Sequence, residues 1–186
     1  MSMGTVFEPL ALWQRVVQEL AQPRRALGRL ALMALLGAFG PACAVYVGTH
    51  WVNRFTEGEL GFMPLAEGRI DPFRATFLGL LIAPQLLTVM YLLLGRYYRL
   101  PARPLAAFAV AVVGALPIYA AGLTMVFTPA ILLVICAFLL SCLWWSVGLR
   151  TVLGVPPGEA AEFNALAILG LIVLMQFSGA LLADFV

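Results

Sequence analysis

Residues 104–149 read PLAAFAVAVVGALPIYAAGLTMVFTPAILLVICAFLLSCLWWSVGL, with no charged residue anywhere in the stretch. A run of about 20 predominantly apolar residues crosses the roughly 30 Å of bilayer hydrocarbon. This run is too long for one crossing, and it is interrupted near its middle by residues 124–128. It therefore predicts two antiparallel membrane helices, about 104–123 and 129–149, joined by a tight turn. Pro129 suits the first position of the second helix, where its missing N–H costs no hydrogen bond. Working outward, three more runs satisfy the same length rule, at about 30–51, 73–94 and 161–182. The expected fold is all-α: a single membrane domain over residues 1–186, built as a bundle of five transmembrane helices.

Composition points the same way. Of 186 residues, 63% are hydrophobic and 11% charged, and the mean hydropathy is +1.00. Soluble domains run to about 45–50% apolar and about 25% charged, because their outer surface must face water. The eleven basic residues are all arginine, as a GC-rich coding bias would produce, which suggests a bacterial source. A net charge of +2 gives no reason to expect nucleic acid. Cys43, Cys136 and Cys142 all lie in apolar runs without a C-x-x-C spacing, so they read as small hydrophobes, not as a redox or metal pair.

Arginine placement sets an expected orientation, since loops on the cytoplasmic side carry the excess of basic residues. Arg15, Arg24, Arg25, Arg29, Arg96, Arg99, Arg103 and Arg150 fall on one side of a five-span chain; Arg54, Arg69 and Arg74 fall on the other. The first side is expected to be cytoplasmic, with the C-terminus outside. Trp51, Tyr97, Tyr98, Trp144 and Trp145 stand near span ends, where amphipathic rings anchor at headgroup depth.

Ahead of the first span, residues 8–21 form an amphipathic pattern. Leu10, Trp13, Val16, Val17 and Leu20 share one helical face, with Gln14, Arg15, Gln18 and Glu19 opposite, and Pro9 suits the first position. No basic end and cleavage site precede it, so it reads as an interfacial helix and not a cleavable signal. Leu10, Trp13, Val17, Arg24, Arg25 and Arg29 are the expected face toward the membrane surface or a protein partner, with anionic lipid attracting the arginines.

Catalytic patterns are missing. The spans hold essentially no ionisable residue, although proton-coupled carriers depend on them. His50 is the one histidine, and no H-E-x-x-H, G-x-S-x-G or Walker-type glycine pattern occurs. The expectation is no enzyme, no metal and no cofactor. What remains inside the spans is polar and uncharged: Gln85 after Pro84, Tyr119 after Pro117, Asn164 and Gln176. A bare amide in hydrocarbon costs several kcal/mol, so these residues are expected either to bond between helices or to line a small ligand cavity. Pro41, Pro84 and Pro117 should kink their spans. Ala107, Ala111 and Ala115 should form a close helix contact.

Several of these segments together resemble the Yip domain family of Ypt/Rab-interacting membrane proteins, in its bacterial inner-membrane form, over roughly residues 10–182. They are the lead-in 13–29 with Pro23, the stretch SCLWWSVGL at 141–149, Val155-Pro156-Pro157, Ala160-Ala161, and the Tyr119…Thr128-Pro129 hairpin. Near the place of a short Asp-Leu-Tyr-Gly-Pro type motif of eukaryotic members stands Asp71-Pro72-Phe73. The resemblance implies five spans, a cytoplasmic N-terminus and a role in membrane organisation. The expected function is that of a non-enzymatic scaffold or adaptor with a protein partner, and self-association is open. Transport or lipid handling through the polar mid-membrane residues is the alternative.

Overall fold

The computed structural model describes residues 9–48, 72–126 and 131–183, with side chains over 10–48, 73–126 and 132–175. Expectations for His50, Trp51, the charged loop 54–71, Thr128, Pro129 and the Gln176 side chain lie outside these. Seven helices are described: α1 (Pro9–Leu20), α2 (Pro23–Val47), α3 (Pro72–Tyr97), α4 (Pro104–Gly114), α5 (Leu116–Gly122), α6 (Ile131–Gly148) and α7 (Ala160–Ala183). A 3-10 turn, Leu123–Val126, extends α5, and a π turn, Leu149–Leu153, extends α6. Four helices begin on a proline, where the lost N–H was unpaired anyway.

Among the described residues, four stretches are long and apolar enough to cross a membrane: Pro23–Val47, Phe73–Tyr97, Pro104–Val126 and Leu132–Leu153. They cover the first four expected spans. The fifth falls on α7, whose apolar part with described side chains, Ala160–Met175, is shorter. The first boundary differs from expectation. Hydropathy marks only the part of a helix in hydrocarbon, whereas α2 starts at Pro23, so Arg24, Arg25 and Arg29 ride on its first two turns.

The α4–α5 stretch stands at the centre, with α2, α3 and α6 around it and α7 against α3 and α6. Its buried positions in α4 are Ala106, Ala107, Ala109, Val110, Ala111, Val112, Val113 and Gly114. None is larger than valine, so neighbouring backbones approach closely. The expected Ala107/Ala111/Ala115 stripe is part of this surface, buried along its length. α2 answers with Ala34, Ala38 and Ala42.

Aromatic rings fill the seats that glycines leave. A Cβ at Gly37 would fall on the Tyr119 ring, and one at Gly114 on the Trp145 indole. The proline effect shows at Ala115, where α4 ends and α5 begins. Pro117 has no N–H, and its ring crowds the carbonyl four residues back. The Ala115 N–H turns to the Val112 carbonyl, at 3.2 Å. Trp145 Nε1 then donates to the Ala111 carbonyl, at 3.1 Å. Trp145 is therefore an interior residue and not a headgroup anchor, because its indole satisfies a backbone group that the kink releases.

In the α6–α7 connection, Gly148 lies within the helix and seats Trp13; a Cβ there would stand 2.7 Å from the indole. The chain turns at Gly154, which adopts a left-handed φ of 75°, a conformation that suits glycine.

These close approaches set a test. Gly148→Val should lower the unfolding temperature in detergent, at an overpacking cost of about 1–3 kcal/mol. Gly79→Ala, where the added Cβ meets nothing within 4 Å, should leave it unchanged or raised. Equal effects at both glycines would contradict the packing described.

Candidate functional site

The polar residues inside the bundle divide into three environments. The first is a bonded cluster at Asn164, which is 3% exposed. Tyr91 Oη of α3 donates to Asn164 Oδ1 at 3.1 Å. Asn164 Nδ2 donates to the Cys142 carbonyl of α6 at 3.2 Å and approaches Ser146 Oγ at 3.5 Å. Ser146 Oγ also donates to the Cys142 carbonyl, at 2.9 Å. One carboxamide thus ties α7 to both α3 and α6. Phe163 packs beside it against Tyr91 and Tyr98, with ring centroids 6.0 and 5.3 Å apart. Burial, then the carboxylates of Glu162 and Glu159, push the Tyr98 hydroxyl above its ordinary value. Tyr91 and Ser146 were missed by the sequence reading. The signal was a phenol and a hydroxyl within apolar runs, each needing a partner when buried.

The second environment is orphaned. Tyr119 is buried beneath α2, and its hydroxyl has no hydrogen-bond partner; the same holds for Ser141 Oγ and Trp13 Nε1. The third is the outer surface. Gln85 is exposed and makes no hydrogen bond. It stands 13 positions after Pro72 and 12 before Tyr97, at the centre of α3. Six positions on, Tyr91 points about 240° away round the helix, into the bundle. Gln85 and Asn164 therefore do not share one site.

The expected partner face is also divided. Trp13 is fully buried, while Leu10 and Val17 are 59% and 44% exposed. α1 lies against the π turn, α2 and α6, so protein covers the Trp13 part of its apolar face while Leu10 and Val17 remain open. The Arg29 guanidinium clamps the two helices by an ion pair with Glu19 at 2.6 Å. Both partners are largely exposed, so the pair contributes about 0–1 kcal/mol. Arg24 is exposed on the first turn of α2, and Arg25 donates to Gln22 Oε1 at 3.1 Å.

Chemically, the bonded cluster holds helices together. Among the described residues no group of three or more His, Cys, Asp or Glu side chains could hold a metal ion.

A double-mutant cycle on Tyr91→Phe and Asn164→Leu, read by unfolding in detergent, should show a coupling of about 0.6–1.7 kcal/mol, the range for hydrogen bonds between membrane helices. Additive effects would mean that the bond contributes nothing. Compared with models of known protein families, with curated proteins and with solved structures, the chain matches none.

Proposed function

We propose that this chain is a non-enzymatic, five-span protein of a bacterial inner membrane that acts as a lateral scaffold, self-associating through the outer face of α3. The observation that carries this reading is Gln85: a carboxamide at mid-helix, facing outward, with no hydrogen bond. At a rise of 1.5 Å per residue it lies about 18–20 Å from either end of α3, beyond reach of headgroup water. Leaving it bare in hydrocarbon costs several kcal/mol. A carboxamide is both donor and acceptor, so a second copy offers the group it needs.

The surrounding face suits a close neighbour. Leu78, Ile82, Val89 and Leu93 are exposed on the same side of α3 as Gln85. α7 supplies the fifth span in this reading. The arginine distribution and the Yip-like segments both support a cytoplasmic N-terminus.

Gln85→Leu should weaken self-association in lipid nanodiscs or vesicles by about 3- to 30-fold, for a hydrogen bond of about 0.6–2 kcal/mol between membrane helices. Counting protomers by single-molecule photobleaching at graded protein-to-lipid ratios would read this. An unchanged distribution between wild type and variant would count against the α3 interface.

A second reading, handling of a small polar ligand, draws on the partnerless hydroxyl of Tyr119. If that hydroxyl serves no ligand, Tyr119→Phe should be neutral or stabilising, because it removes an unsatisfied buried group. If it serves one, the variant should lose uptake or retention of a compound carried by the wild type.

A further inference from the structure

Two clefts run between α1 and α2, and they differ in chemistry. One, of about 320 Å³, is lined by Arg15, Gln18, Glu19, Gln22, Arg25 and Arg29, with Ala26 the only apolar residue. The other, of about 430 Å³, is lined mainly by leucines from both helices, with Val16, Met33 and Val113. The two meet, sharing Arg15, Glu19, Ala26 and Arg29. Their junction falls at Arg29 and Leu30, where the charged first turns of α2 give way to its apolar run. The polar cleft thus lies on the water side of that boundary and the apolar cleft on the hydrocarbon side.

The charges in the polar cleft do not cancel. Glu19 is the one carboxylate, and it is taken by Arg29. Arg25 has only the neutral Gln22 oxygen as a partner, and Arg15 makes no hydrogen bond or ion pair. Three guanidiniums against one carboxylate leave a site that favours an anion, and guanidinium matches phosphate in geometry as well as charge. A soluble phosphate would use the first cleft and leave the second empty. A molecule with a phosphate joined to an acyl chain would fill both.

We propose that the α1–α2 junction is a binding site for one anionic phospholipid, its phosphate between Arg15 and Arg25 and an acyl chain along Leu12, Leu32 and Met33. The docked α1 is what makes the site: with Trp13 seated on Gly148, α1 forms one wall of both clefts. The site is independent of the α3 face, because none of its lining residues lies on α3.

The test uses the full-length protein in a neutral detergent, with thermal unfolding followed during titration by dioleoyl phosphatidylglycerol. Dioleoyl phosphatidylcholine and inorganic phosphate serve as the comparison ligands. Phosphatidylglycerol alone should raise the unfolding temperature saturably. Removing one guanidinium with Arg15→Gln should weaken the response about fivefold, and Arg15→Gln with Arg25→Gln about 25-fold, the factors expected for a basic residue near anionic lipid. Leu32→Ser should weaken it while leaving the arginines in place. Arg15→Gln alone touches an exposed, unbonded side chain, so it keeps the test valid if the double variant folds poorly. An equal response to phosphatidylcholine would overturn the proposal in favour of non-specific apolar binding. An equal response to inorganic phosphate would overturn it in favour of a soluble anion site.

Discussion

The structure depends on a central helix whose buried side chains are too small to keep its neighbours away. Alanine, valine and glycine line the buried surface of α4, so the surrounding backbones approach it closely. In lipid no hydrophobic effect separates helix from solvent, because the tails are as apolar as leucine. Close van der Waals packing and hydrogen bonds between helices must provide the association instead. The rings of Tyr119 and Trp145 occupy spaces that Gly37 and Gly114 leave open, and Trp145 repairs the backbone opened at Ala115. These features support one another: a larger residue at Gly114 would expel the indole and leave the Ala111 carbonyl without its donor.

Much of the helical framework was legible in the sequence because it follows from uniform apolar length. The runs at 73–94, 104–123 and 129–149 mark helices to within a few residues, and Pro9 and Pro104 begin theirs as their missing N–H allows. The alanine stripe at 107, 111 and 115 was also legible, since small residues at helical spacing indicate close contact. The identity of the neighbour on each face was not. Periodicity puts Trp13 on the apolar side of α1 but cannot distinguish a covering of lipid from one of protein, and here the cover includes Gly148. Gln85 and Asn164 present the same difficulty. Both are amides in apolar runs, yet one faces outward and the other holds three helices together. A span that is apolar on every side carries no amphipathic signal to tell these cases apart.

In this account the interior is structural and the surfaces act. The one amide shown buried in the bundle is bonded between helices, as a group in hydrocarbon must be if it is not to cost several kcal/mol. The exceptions are located: Gln85 on the outer face of α3, and the orphaned Trp13 Nε1, Tyr119 hydroxyl and Ser141 hydroxyl within. A protein that works by lateral contact leaves its unsatisfied group facing outward at mid-helix, whereas one that moves a solute gathers such groups around an open path.

Substituted-cysteine labelling separates these alternatives most directly. In a background without Cys43, Cys136 and Cys142, single cysteines replace Ala107 and Ala111 on the central helix, and Leu139 and Leu143, exposed on α6 away from the α3 interface. A lipid-soluble maleimide is expected to modify the α6 positions while the α4 positions resist both it and a small water-soluble thiosulfonate. Rapid modification at Ala107 or Ala111 by the water-soluble reagent would reveal an aqueous path through the centre and contradict the packed bundle on which the scaffold reading rests.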